Sequence, residues 1–157
     1  MNRQAEATRL VGEYSDLIVR LCHSYLQSTA DAEDICQEVL LKALDNRQRF
    51  TSTEHEKAWI IRVTCNKCKD LLRSPARRLR AEEAEAVDKP APSYGPLTDA
   101  IATLPRDQRI AVYLHYYEGY RAAEIAEMLP STPDAVYQIL SRARATLRES
   151  LIGDRHA

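Results

Sequence analysis

Residues 104–151 read LPRDQRIAVYLHYYEGYRAAEIAEMLPSTPDAVYQILSRARATLRESL, and this stretch decides the fold. Its apolar residues recur at helical spacing in three runs separated by two short breaks. Pro105 suits the first turn of a helix, where its missing N–H costs nothing. Ile110, Val112, Leu114 and Tyr117 supply much of one apolar face. Glu118-Gly119 ends this run, because glycine takes the left-handed closing conformation cheaply. A short second helix is expected over about 121–129, with Ala122, Ile125, Ala126 and Leu129 on one side. Thr132 as N-cap, Pro133 at the first helical position and Asp134 in the first turn then start a third helix, running to about 151. Val136, Ile139 or Leu140, Ala143 and Leu147 face inward. That leaves Asp134, Tyr137, Gln138, Ser141, Arg142, Arg144 and Arg148 free to meet a partner. A short helix, a short turn and a capped long helix with arginines on one side outline a helix-turn-helix reader of duplex DNA. An ordinary helical hairpin with a solvated basic end accounts for fewer of these features.

Composition agrees with an all-helical chain. Its 157 residues contain only four glycines, and charges nearly balance, with 22 basic and 23 acidic residues. No run of about 18 apolar residues exists to span a membrane. The opening MNRQAEATRL lacks a signal-peptide core. The expected location is therefore cytoplasmic, with the four cysteines reduced. A net charge of −1 is low for a DNA binder, because nonspecific affinity comes mainly from neutralised phosphates. Either the basic charge is localised or a larger partner supplies much of the binding.

Upstream, a long helix is expected over 4–27, with a stripe of Leu10, Val11, Tyr14, Leu17, Ile18, Leu21, Cys22 and Tyr25. Ser28-Thr29 breaks it. A second helix carries Asp31, Glu33 and Asp34 in or near its favourable first turn, and Ile35, Val39, Leu40 and Leu44 on its apolar side. Thr53 and Glu56 form a capping-box pattern that opens a third helix. That helix carries Trp59, Ile60, Val63, Leu71 and Leu72 and stops before Pro75. Residues 74–96 change character, from Arg77, Arg78 and Arg80 through an acidic Ala-rich patch to KPAPSYGP, which reads as a linker. No internal repeat is visible.

Basic charge is indeed localised. Arg62, Lys67, Lys69, Arg73, Arg77, Arg78 and Arg80 are opposed only by Asp70 between positions 62 and 80. Basic groups beside an aromatic, here Trp59, suit melted nucleic acid, where bases stack on rings and phosphates meet cations. Considered alone, Trp59 is better explained as core. Cys65 and Cys68 form a Cys-x-x-Cys with His55 upstream and Cys22 and Cys36 as further thiols. The spacing lacks a second ligand pair, and the run lies in a helical stretch where both thiols can face a core.

Two separated segments coincide with one family. DAEDICQEVLLKAL at 31–44 and EKAWIIRVTCNKCKDLLRS at 56–74 resemble region 2 of the extracytoplasmic-function (ECF) sigma factors, members of the sigma-70 family. The 104–151 tail resembles region 4 of that family. The resemblance implies a non-enzymatic transcription initiation factor that binds core RNA polymerase and directs it to promoters through −10 and −35 elements. It implies polymerase docking by Asp34, Gln37, Glu38 and Leu41. It implies −10 contacts by Trp59, Arg62, Asn66, Lys67, Lys69 and Arg73. Asn66 matches the position that contacts a flipped base, and residues 50–57 match the loop that holds it. Such a pocket recovers part of an unstacking cost of a few kcal/mol. It implies −35 contacts by Thr132, Tyr137, Gln138, Ser141, Arg142 and Arg144. Here the chain departs from the family pattern: Tyr137-Gln138-Ile139 stands where Lys-Ser-Arg is usual. A hydrophobic groove around Val112, Tyr113 and Tyr116 is a candidate contact for the polymerase flap. Many members of the family are held by an anti-sigma factor.

The expected fold class is all-α: two small helical domains, an N-terminal bundle and a C-terminal helix-turn-helix, on a flexible linker. The expected boundaries are 1–75, 76–97 and 98–157. Core RNA polymerase and promoter DNA are the expected partners, with no cofactor, metal or membrane span. The competing functions are a free-standing helix-turn-helix regulator and a zinc or redox protein built on Cys65 and Cys68.

Overall fold

The computed structural model describes residues 2–75 and 95–156, with side chains described as far as 152. The chain divides into two compact units, Met1–Arg78 and Leu79–Ala157. Most of the expected linker, including Arg77, Arg78 and Arg80, lies outside the described residues.

In the first unit, α1 (Arg3–Leu26), α2 (Thr29–Asp45) and α3 (Thr53–Arg73) pack around one core. Asn2 caps α1 by accepting from the Ala5 N–H at 2.7 Å. Gln27 closes α1 in the left-handed region at φ 50°. Ser28 then caps α2, accepting from the Asp31 N–H. A two-residue turn of this kind folds α2 back along α1, and an Arg3–Asp45 ion pair of 3.0 Å joins their outer ends. α3 runs alongside both. Its start meets α1 through Arg9, Tyr14 and Glu56, and its later turns meet α1 where the Cys68 Sγ donates to the Cys22 Sγ at 3.7 Å.

The core contains Leu10, Ile18, Leu21, Val39, Ile60 and Ile61, all nearly inaccessible. Periodicity placed most of these but not all. Val11, expected in the α1 stripe, is 51% exposed. On α3 the buried side is Ile60, Ile61, Thr64, Cys65 and Cys68, while Val63, Leu71 and Leu72 are only half-buried. The helix is therefore rotated from the expected face. Small thiols and a threonine hydroxyl bonded to the Ile60 carbonyl let it approach α1 closely.

The capping box expected from Thr53 and Glu56 does not form. Ser52 is the N-cap, accepting from the His55 N–H at 3.0 Å. Glu56 instead turns inward. Its carboxylate accepts from Tyr14 Oη at 2.7 Å and from both terminal nitrogens of Arg9, at 2.9 and 2.8 Å. Arg9 also donates to Glu6 and Glu13. Arg9 holds the Glu56 carboxyl below the usual carboxylate range, against the opposing effect of burial.

Among its described residues, the second unit holds four α-helices where three were expected. α4 (Pro96–Ala102) begins inside the segment assigned to the linker, after Gly95 at φ 117°. α5 (Arg106–Val112) follows, with Pro105 just outside it as the residue before the first turn. Residues Tyr113–Tyr117 continue α5 as a π-turn, where Glu118 N–H bonds back five residues to the Tyr113 carbonyl. Gly119, at φ 76°, ends the run as expected. α6 (Ala122–Met128) is short, and α7 (Pro133–His156) is long. Thr132 caps α7 as read from the sequence, accepting from the Ala135 N–H at 3.2 Å. Leu104, Leu114, Ile125, Val136 and Leu140 form the centre of this unit.

Candidate nucleic-acid interface

Three exposed faces carry the candidate residues. On α2, Asp34, Gln37, Glu38 and Leu41 are all exposed. Spaced i, i+3, i+4 and i+7, they form one strip opposite the buried Ala32, Ile35, Cys36, Val39 and Ala43. Leu41 is 58% exposed in the middle of polar neighbours, an arrangement that suits an amphipathic partner helix.

On α3, Trp59, Arg62, Asn66, Lys69 and Arg73 fall within a sector of about 80° at about 100° per residue. Arg62, Asn66 and Arg73 are exposed, while Trp59 and Lys69 are half-buried. Lys67 does not join them. It projects toward α2, where its Nζ lies 2.9 Å from Glu38 Oε2. One candidate of each set, Lys67 and Glu38, is thus tied to the other. Trp59 packs edge-on against Phe50, with ring centroids 5.2 Å apart, and Phe50 meets His55 at 5.6 Å. The Thr51 N–H donates to His55 Nδ1 at 3.1 Å and folds the segment over the start of α3. Of the expected loop at 50–57, only Phe50, Thr51 and Ser52 are non-helical, because α3 begins at Thr53. The strip as a whole presents a half-open aromatic with cations along one helix face, which serves stacked bases and phosphates.

On α7, Thr132, Tyr137, Gln138, Ser141, Arg142 and Arg144 are all exposed. Tyr137 is the most open large hydrophobic side chain among the described residues of the unit, at 60%. Arg144 Nη1 donates to Tyr116 Oη at 3.1 Å, a contact the sequence reading did not foresee. The π-turn places Tyr116 on that side. The groove expected around Val112, Tyr113 and Tyr116 is not present as such. Val112 and Tyr113 are buried, and Tyr113 donates its hydroxyl to Glu118, so only Tyr116 of the three is exposed.

The cysteines sit elsewhere. All four are buried thiols, none in a disulfide. Burial pushes the Cys65 thiol up to about 11, far from a reactive thiolate. Among the described residues, no three His, Cys, Asp or Glu side chains are grouped to hold a metal, and no helix is long and apolar enough to cross a membrane.

Comparison with known proteins fits this arrangement. Residues 10–78 match Sigma-70 region 2, and residues 94–147 match Sigma-70, region 4. The ECF sigma factor SigM of Mycobacterium tuberculosis is 30% identical over 84% of this chain and 70% of its own length. The probable RNA polymerase sigma factor RfaY of Xanthomonas campestris pv. campestris is 30% identical over 92% of this chain. The chain spans only 40% of RfaY, and 60% of the factor BldN of Streptomyces coelicolor. Among solved structures, the sigma factor RpoE from Bartonella quintana, crystallised with the anti-sigma factor NepR, shares the fold. Its TM-score is 0.71 at 22% identity, covering 92% of this chain and 95% of RpoE. The chain belongs to the ECF group of sigma-70 RNA polymerase sigma factors, a family without enzymatic chemistry of its own.

Proposed function

We propose that this chain binds core RNA polymerase and directs it to particular promoters, with the first unit engaging the −10 element and the second the −35 element. The α2 strip of Asp34, Gln37, Glu38 and Leu41 docks on a cationic polymerase helix through charge-assisted bonds around an apolar contact. Arg62, Lys69 and Arg73 meet phosphates of the opened strand, Trp59 supports a base, and Asn66 reads a base turned out of the stack. Thr132, Tyr137, Gln138, Ser141, Arg142 and Arg144 of α7 meet the upstream duplex. The proposed site of action is the cytoplasm, where polymerase works. An anti-sigma factor joins the proposed partners, as NepR does for RpoE of Bartonella quintana.

The observation that carries this reading is the α3 strip, with an aromatic, an amide and three cations aligned on one face beside the separately exposed α2 strip. A free-standing helix-turn-helix regulator gives neither strip a role. Reconstituted transcription with core RNA polymerase is the test. Promoter-specific initiation that depends on this chain is expected. A chain that neither binds core nor supports initiation overturns the proposal.

A further inference from the structure

The exposed face of α7 sorts its side chains by charge. Val136, Leu140 and Ala143 form the seam buried against the rest of the unit. At about 100° per residue, Gln138 lies opposite the centre of that seam, with Asp134 and Ser141 within about 60° of it. All three are exposed, and none is a cation. Arg142 borders this strip about 40° from Gln138 on one side, and Arg144 lies about 120° from Gln138 on the other. Arg144 is drawn further aside by its bond to Tyr116. In a major groove, the side chains opposite the seam meet base edges, while flanking cations reach the phosphates on the groove walls.

We propose that Gln138 is the base-reading residue of this helix and that the base it reads is adenine. The inference rests on the proposal that the second unit reads the upstream duplex. A glutamine amide matches the adenine edge with two bonds, accepting from N6 and donating to N7. Guanine presents two acceptors, N7 and O6, which call for a paired donor such as arginine. No arginine stands at the centre of the strip, and the acceptor Asp134 one turn earlier opposes an acceptor-rich edge. Arg142 and Arg144 then position the helix without choosing the sequence.

The test uses the full chain with core RNA polymerase and a promoter library randomised across the upstream element, with the downstream element fixed. Transcribed members are sequenced. One upstream position selects adenine by about tenfold or more, the size expected of a good two-bond contact. Gln138→Arg moves that position toward guanine, and Gln138→Ala flattens it alone. Arg142→Ala lowers output across the library with no change of preference. If adenine selection survives both Gln138 variants, or if Arg142→Ala changes the preferred base there, the inference is overturned while upstream reading by this unit stands. If the native chain selects nothing upstream, both fall.

Discussion

Replacing Glu56 by glutamine removes one charge and almost no volume from the point where α3 meets α1. Glu56 is 7% exposed in its side chain and accepts three hydrogen bonds, from Tyr14 and twice from Arg9. An amide keeps one acceptor and turns an N–H₂ toward Arg9 or Tyr14. Hydrogen bonds to a charged group contribute about 1.5–3 kcal/mol each. Severing a buried ion pair costs about 3–5 kcal/mol when the surviving charge is left alone. Arg9 is not left alone: it is 31% exposed and retains Glu6 and Glu13. The expected loss is therefore about 2 kcal/mol. Trp59 is the only tryptophan of the chain and lies one turn beyond Glu56. Its fluorescence reports the first unit without mixing in the second, which a single calorimetric midpoint would do. Urea unfolding at pH 7 should shift by about 1–2 M at the slopes usual for small domains.

The pH dependence has a definite sign. The native Glu56 carboxyl titrates below its ordinary value of 4.5, chiefly because Arg9 bonds to the ionised form. Its contribution is therefore complete above pH 4.5 and is lost as pH falls through the lowered native value. Glutamine has no such titration, so the gap between the two proteins narrows in acid. Glu6, also lowered by its bond to Arg9, titrates in both proteins and largely cancels. An unchanged midpoint at pH 7, or a gap as wide at pH 3 as at pH 7, refutes this account of how α3 is anchored.

Three further outcomes are expected. Lys69→Ala and Arg73→Ala should each lower the slope of log affinity against log salt by about 1 for promoter binding by the reconstituted complex, whereas Lys67→Ala should lower it by less than half as much, because Glu38 already neutralises that ammonium; equal slopes for all three would contradict the Lys67–Glu38 pairing. Asn66→Ala should reduce discrimination among −10 variants by about 1–3 kcal/mol at one position and leave core binding intact, as measured by competitive initiation; unchanged discrimination removes Asn66 from base reading. The buried thiols of Cys22, Cys36, Cys65 and Cys68 should resist a disulfide reagent at pH 8 until the chain is unfolded, when all four react; a thiol reacting rapidly in the native chain would revive the redox reading.

The parts of this fold legible in the sequence are those set by local rules. Thr132 with Pro133 announces α7, and helical spacing alone puts Asp34, Gln37, Glu38 and Leu41 on one face. The rotation of α3 was less legible, since Cys65, Cys68 and Thr64 give a weaker apolar signal than Leu71 or Leu72 yet are the residues buried. The π-turn at Tyr113–Tyr117 left no mark in the pattern either, because one extra residue in a turn only slides an apolar face that stays apolar. It nonetheless decides that Tyr116 meets Arg144.

Glu56 shows how a sound local rule loses. Ser52 and Thr53 are adjacent hydroxyls, and either can cap a helix. With Thr53 as the cap, Glu56 falls at the third helical position and can bond back to the Thr53 N–H, which is what the sequence favours. With Ser52 as the cap, that position goes to His55, whose ring instead accepts from the Thr51 N–H, and Glu56 is released. The choice is decided 47 residues away. An exposed capping interaction contributes about 1 kcal/mol, whereas Arg9 and Tyr14 offer a partly buried carboxylate three bonds, each of at least comparable size. The cap therefore moves one residue back, α3 starts one residue earlier, and the segment joining α2 to α3 shortens by one residue to 46–52, where the bend after the Arg47–Arg49 turn carries Phe50 against Trp59. An interior charge contact thus sets the frame of a surface that faces DNA in the proposed function.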